Sequence, residues 1–233
     1  MKQILINGLL IDLEKKRIKN LYLRILPPEG KIRISAPIRM SDAQIKQFVL
    51  SKKDWILLQQ EKVQLSNVHR KIDFLTGDQI MLWGKHYPLV VKEITQRSMV
   101  HFDGDIVELS VKKDVNHNSP QHRESILNEW YRKELKDKLP AMIQKWESVI
   151  GVVSSDFTIR DMKTRWGTCN VRTKRICFNL QLVKKSPRCV EYVVVHELVH
   201  LLERSHNHVF KTYMDHYLPD WRMIKKDLNN ALI

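Results

Sequence analysis

The chain has 233 residues, with 40 Lys and Arg against 26 Asp and Glu, and a formal charge of +14. Apolar residues make up 43% and charged residues 28%, a balance that builds a core and excludes a disordered chain. No run approaches the roughly 20 apolar residues of a membrane helix. The opening Met1-Lys2-Gln3-Ile4-Leu5-Ile6-Asn7-Gly8 is too short an apolar run for a secretion signal. Cys169, Cys177 and Cys189 do not form a disulfide framework, so the expected location is a reducing cytoplasm.

Residues 1–40 read as β structure. Asn7-Gly8 is a hairpin signal between apolar runs. Leu21, Leu23 and Ile25 alternate with their neighbours, Pro27-Pro28-Glu29-Gly30 makes a turn, and Ile32 and Ile34 alternate on a return strand. Ser41 or Asp42 then caps one helix to about residue 65, with Ile45, Phe48, Val49, Ile56 and Leu57 as its buried stripe. Thr76 to Val111 returns to strands, punctuated by Trp83-Gly84-Lys85 and Asp103-Gly104. Residues 112–122 are polar and turn-rich and mark a linker. The expected division is a β-rich basic region over 1–115 and a second domain over 120–233. No internal repeat is visible in the residues.

A long helix is expected from about 123 to 149, kinked or split by Pro140, which lacks a backbone donor. Strands follow near 156–168 and 175–182. Ser186-Pro187 opens a further helix, with a capping residue and proline at its first position. The remainder is helical with a break near 205. The fold class is therefore α+β.

The positive charge divides evenly between the two halves, but one window stands out. Residues 160–188 hold Arg160, Lys163, Arg165, Arg172, Lys174, Arg175, Lys184, Lys185 and Arg188 against Asp161 alone. A basic face attracts nucleic acid, nucleotides, acidic peptides or anionic lipid; a solvated face of strands and turns is the plainer reading.

The chemistry lies in His196-Glu197-Leu198-Val199-His200. Two histidines four apart on a helix point the same way, about one turn apart, which suits two nitrogens converging on Zn²⁺. Glu197 lies beside them, placed to accept a proton from a metal-activated water. Tyr192-Val193-Val194-Val195 before the motif and Leu198, Val199, Leu201 and Leu202 around and after it make this helix apolar on most sides and buried. Zinc takes a third protein ligand. His206 fills that place if the helix ends near Arg204-Ser205 and the chain folds back; His208 is the alternative. Glu203 is either an orienter of a ligand histidine or a solvent-facing carboxylate.

These residues carry a family resemblance. The run from His196 through His206 to Phe210 resembles the zincin core of the YgjP-like metallopeptidase family, relatives of the SprT-like and WLM domains. Thr164-Arg-Trp-Gly-Thr-Cys169 followed by Arg175-Ile-Cys-Phe-Asn-Leu180 resembles the family's second signature. Ser35-Ala-Pro37, Lys53-Asp-Trp-Ile56 and Trp83-Gly-Lys-His-Tyr87 extend the likeness over most of the chain. The resemblance implies a zincin-like C-terminal metallohydrolase core with a β-rich N-terminal half. It matches His196, His200 and His206 to zinc ligands and Glu197 to the catalytic glutamate. Glu203 stands where the metzincin pattern has glycine, a departure from that group.

If 159–165 is a strand, Ile159, Asp161, Lys163 and Arg165 share one face. An edge strand beside a metal helix aligns extended substrate by backbone pairing, which makes Lys163 and Arg165 substrate-contact candidates; a solvated strand face is the alternative. Trp166 and Phe178 are core residues or stacking platforms for bases. The cysteines are packed small residues. Tyr192, Tyr213 and His208 are the candidates for a second donor to a developing oxyanion.

Three functions follow. One is a zinc-dependent hydrolase of peptide bonds. Another is a metal-dependent pyrophosphatase of nucleoside triphosphates such as UTP, an activity described for some members of the resembling family, although no glycine-rich phosphate loop is present. The last is a nucleic-acid-associated protein with a basic binding face. All three assume the metal; none requires a membrane.

Overall fold

The computed structural model describes residues 2–26, 29–68, 73–113 and 119–230. The chain separates into two compact units, Met1–Lys71 and Ile72–Ile233.

The first unit begins with β1 (Lys2–Ile6) and β2 (Leu9–Lys16), joined at Asn7-Gly8. Both turn residues have positive φ, 49° and 82°, which matches the twist of a two-residue hairpin. Then come β3 (Tyr22–Leu26) and β4 (Lys31–Pro37), and the sheet order is β1-β2-β4-β3 with β2 and β4 parallel. Pro27 and Pro28, expected in a turn, lie outside the described residues. Ile11, Leu13, Ile32 and Ile34 face a core closed by Ile45, Val49 and Ile56.

Those last three come from two helices, α1 (Asp42–Ser51) and α2 (Lys53–Val68), not from the single helix expected. Ser41 and Gln44 form a capping box at the start of α1. Lys52 leaves helical geometry at φ −112°, ψ 10°. The break changes which side faces the sheet: Ile56 is buried, whereas Leu57, expected in the stripe, is 45% exposed.

The second unit opens with β5 (Gln79–Leu82), β6 (Lys85–Ile94), β7 (Met99–Phe102) and β8 (Val107–Lys112), in the order β5-β6-β8-β7 with β6 and β8 parallel. This is the topology of the first sheet. The hairpin glycine and the second and fourth strands recur at a constant offset: Gly8 to Gly84, Leu9 to Lys85, Lys31 to Val107. The repeat is one of backbone topology, which the residues do not display.

Next is α3 (Pro120–Ile150), capped by Ser119 with proline in its first turn. It runs unbroken through Pro140, so the expected split does not occur. Pro140 is on the exposed side of α3, between buried Leu139 and Ile143, so the carbonyl it leaves unpaired faces water. Leu127 packs with Ile80, Leu89, Val107 and Leu109 of the preceding sheet. That packing puts β5–β8 in the same unit as the metal-motif helix, and the division expected at 115–120 falls inside this unit.

A three-stranded sheet follows, ordered β10-β11-β9, from β9 (Asp156–Arg160), β10 (Gly167–Asn170) and β11 (Arg175–Asn179). A 3₁₀ turn (Leu180–Lys184) leads to α4 (Pro187–Val199), then α5 (His208–Tyr217) and α6 (Trp221–Asn230). Buried Val190, Val193, Val194 and Leu198 of α4 share one core with Leu135 and Leu139 of α3, Phe178 of β11 and Ile224 of α6. No helix among the described residues is long and apolar enough to cross a membrane.

Candidate metal centre

The central helix α4 is placed at its first turn. Ser186 caps it by accepting from Cys189 N–H, and Pro187 takes the position that needs no donor. The Trp83-Gly84 hairpin tip braces this cap. Trp83 donates its backbone N–H to Val183, and a Cβ on Gly84, at φ 83°, would lie 3.0 Å from Ser186 Cα. Glu191 accepts from Lys145 and Trp146 of α3 and from Arg188, which also reaches Asp220. Burial alone would raise the Glu191 carboxyl, but these three donors hold it below the usual value.

The regular helix ends at Val199, with His200 as its C-cap. Residues 201–206 turn back and bring His206 over the helix. His206 Nε2 lies 2.9 Å from His196 Nε2, and the ligand atoms of His196, His200 and His206 are all within 4.8 Å of one another. Among the described residues this is the one group of three or more His, Cys, Asp or Glu so arranged. His208 stands outside it, beside Thr212 on α5.

Glu203 shapes this turn in two ways. Its carbonyl faces His200 Nδ1 at 3.1 Å, and its carboxylate accepts from Ser205 N–H at 2.9 Å. It therefore orients a histidine of the cluster through its backbone while its side chain closes the turn. No residue from His200 to His206 has positive φ, so the turn needs no glycine at 203.

Phe210 closes the motif run, but its role at the cluster was not visible in the sequence. Its ring, 2% exposed, lies 4.9, 4.7 and 4.8 Å from the rings of His196, His200 and His206. It packs against all three imidazoles and restricts how they can turn. Asn207 caps α5 by accepting from Phe210 N–H, which fixes that ring in turn. The signal was an apolar residue four positions after His206.

The donor set fits a metal. With Nδ1 of His200 donating to Glu203, Nε2 keeps its lone pair for the cluster. Two imidazole nitrogens facing at 2.9 Å need a proton or a cation between them. Burial pushes His196 down to about 3, helped by His200 and His206, so this imidazole is held neutral, the form that offers a lone pair to an ion. Three neutral imidazoles form a common set for Zn²⁺.

Glu197 lies on the other flank of α4, 4% exposed, with Oε2 buried and without a hydrogen-bond partner among the described residues. Burial pushes its carboxyl up to about 8, and the Arg165 charge opposes that. It fits beneath β10 only because residue 167 is glycine: a Cβ there would lie 2.6 Å from Oε1. Cys169 shares this face, and burial and the Glu197 charge raise its thiol to about 11.

β10 is thus the strand beside the metal-motif helix, whereas the expected strand over 159–165 ends at Arg160. The chain from 161 to 166 is a loop fastened by Asn179, 4% exposed. Its amide donates to the carbonyls of Met162 and Arg165 and accepts from Met162 and Gln181 N–H. Asn179 N–H also donates to Trp166. That bond sets the pleat: Trp166, Thr168 and Asn170 pair toward β11, while the backbone groups of Gly167 and Cys169 point away from it.

Helix and strand border a cleft of about 1090 Å³ that contains His196, Glu197, His200 and His206. Arg165, Trp166 and Tyr192 line it; Lys163, Phe178, Tyr213 and His208 do not. Lys163 is exposed on the 161–166 loop, so the shared strand face expected for Lys163 and Arg165 does not form. Trp166 is half-buried and donates to Asn229, whereas Phe178 is wholly in the core.

Two solved structures are similar to part of the chain. One is the metallopeptidase zymogen jannalysin of Methanocaldococcus jannaschii, 20% identical, covering 41% of this chain and 98% of that one with a TM-score of 0.37. The other is the metallopeptidase zymogen abylysin of Pyrococcus abyssi, 16% identical, covering 40% and 93% with a TM-score of 0.38. No curated protein matches the sequence. The profile of the YgjP-like metallopeptidase domain matches residues 19–231, nearly the whole chain. The chain therefore belongs to the YgjP-like family, metallopeptidases that depend on a metal ion.

Proposed function

We propose that this protein is a zinc-dependent peptidase in which His196, His200 and His206 hold the ion and Glu197 carries the proton. The observation that carries the reading is the convergence of three imidazole nitrogens within 4.8 Å, above a common aromatic floor and one side chain from a buried carboxylate. When bound, zinc acidifies water and polarises the scissile carbonyl.

The remaining chemistry belongs to the chain. An extended substrate pairs with the outward amide and carbonyl groups of Gly167 and Cys169, as an added strand does. That pairing carries the scissile bond across the cleft above Glu197. Burial alone favours the protonated Glu197, and a cation held by the neighbouring imidazoles would favour its carboxylate; in that form Glu197 accepts the proton of the attacking water and returns it to the leaving amine, so the carboxylate is restored each turnover. Tyr192 is the remaining candidate for the oxyanion donor, since it lines the cleft with its ring 5.7 Å from that of His196. Arg165, at the entry to β10, contacts substrate; Lys163 has no such place.

The test pairs metal content with hydrolysis. Wild-type protein is expected to hold about one zinc per chain, lost in His196→Ala, and to cleave peptides. Glu197→Gln should keep the zinc and lose about 10²–10⁴-fold in turnover. Equal and negligible zinc in wild type and His196→Ala after metal loading would overturn the reading. Release of pyrophosphate from UTP, abolished by Glu197→Gln and without peptide cleavage, would replace the peptidase by a nucleotide hydrolase.

A further inference from the structure

The cleft has a charge that the metal chemistry does not require. Arg165, Arg172, Arg204 and Lys225 line it, and Glu197 is the one carboxylate among its described lining residues. All four cations are exposed, and none forms an ion pair with a described carboxylate. Some neighbouring cations are paired: Arg175 with Asp156, Arg188 with Glu191 and Asp220, and Arg222 with Asp215. Other exposed cations outside the cleft, such as Lys163 and Lys174, also lack a described carboxylate partner; what marks the cleft is that four such charges line one space with a single carboxylate.

The four are also ordered along it. Arg165 precedes β10 and Arg172 lies in the turn after it, so a guanidinium stands near each end of the edge strand. Arg204 belongs to the turn that carries His206, and Lys225 to α6.

We infer that the preferred substrate is an acidic peptide, bound extended along β10 with Asp or Glu side chains on both sides of the scissile bond. The inference rests on the peptidase reading above. β10 rises about 3.4 Å per residue, so its four residues, Gly167–Asn170, span only a short peptide. With the scissile bond above Glu197 and so opposite Gly167, an acidic side chain about two residues to one side meets Arg165, and one about four or five residues to the other meets Arg172. A peptide is favoured over a nucleotide because the outward amide and carbonyl groups of Gly167 and Cys169 match a peptide backbone, which a triphosphate lacks. Basic peptides are excluded by the same charges, since a like charge facing an unpaired guanidinium has no compensating partner.

The test measures binding apart from turnover. Zinc-loaded, full-length Glu197→Gln protein is titrated with fluorescein-labelled peptides identical except for flanking positions carrying Glu, Gln or Lys. The Glu peptide should bind about tenfold tighter than the Gln peptide, with Lys weakest. Added salt should shrink the difference, and the double variant Arg165→Gln, Arg172→Gln should abolish it. Lys136→Gln, on the exposed side of α3 and outside the cleft, should keep it. Equal affinity for the three peptides, no binding of any, or UTP bound more tightly than the Glu peptide would each overturn the inference. Wild-type cleavage of the same peptides separates the two claims. Cleavage without charge preference removes the acidic specificity and keeps the peptidase, whereas Glu-selective binding without cleavage keeps the specificity and removes the peptidase.

Discussion

Gly167 and Glu197 occupy one space: the position a Cβ would take on the strand lies 2.6 Å from the carboxylate oxygen and 2.8 Å from its Cγ. Gly167 is not among the positive-φ glycines, so backbone geometry does not require it. The carboxylate beneath it does. Gly167→Ala is therefore expected to displace Glu197 or lift β10, lowering peptide turnover by about 10–100-fold through misplacement. Overpacking should cost about 1–3 kcal/mol of stability. Zinc content should stay at the wild-type level, because the imidazole cluster is on the other flank. Turnover and metal content measured together check this; unchanged turnover would show that the site absorbs the methyl group.

The histidines divide by position rather than by spacing alone. His206 folds back to 2.9 Å from His196, whereas His208 turns to Thr212. His206→Ala should lower zinc affinity by at least about 100-fold, as expected for loss of a ligand, since even outer partners are worth 10–100-fold. His208→Ala should leave affinity within about twofold of wild type. Competition with a chromogenic chelator reads both values. Equal losses in the two variants would exclude the assignment.

Phe210 gives a complementary expectation. Phe210→Ala removes a ring that touches three imidazoles and should cost about 3–5 kcal/mol. Phe210→Leu retains much of the volume and separates folding from metal binding. If the ring orders the imidazoles, this variant remains folded by circular dichroism and binds zinc more weakly. Wild-type zinc affinity in a folded Phe210→Leu protein would limit the ring to a packing role.

Asn179 uses every hydrogen-bonding position of its amide on the 162–181 segment. Asn179→Leu leaves those buried backbone groups unpaired, at about 1–3 kcal/mol for each group that water does not reach. Asn179→Asp keeps the two acceptor bonds and turns the two donor positions into repulsive contacts with carbonyls. Both variants should lower the urea midpoint, and turnover should fall because Arg165 and the start of β10 are no longer held. A wild-type midpoint in both would show that the loop stands without the clamp.

Glu191 supplies a pH dependence away from the metal. Its folded carboxyl is held below its ordinary value by Lys145, Arg188 and Trp146 in spite of burial. A depressed carboxyl contributes stability in full above the unfolded value, and that contribution disappears as pH falls through the folded one. Metal-free Glu191→Gln should therefore be less stable than metal-free wild type at neutral pH. The gap should narrow as pH falls below about 4.5. Urea midpoints of both proteins across that range provide the check; a constant gap would mean that the network acts through packing rather than charge.

The local parts of this protein were legible in its residues. Two histidines one turn apart, a Ser-Pro helix start and the Asn7-Gly8 hairpin each depend on neighbours within a few positions, where backbone geometry leaves few alternatives. The α+β class and the outline of the strands followed from the same short-range periodicity. Tertiary structure decided what lies against what. It broke the first helix at Lys52, joined β5–β8 to α3, and fastened 161–166 as a loop through Asn179 instead of extending β9. It set Gly167 over Glu197 and Phe210 beneath three imidazoles. Those contacts join residues far apart in the chain, and their free energy comes from burial and pairing that exist only once both partners are in place.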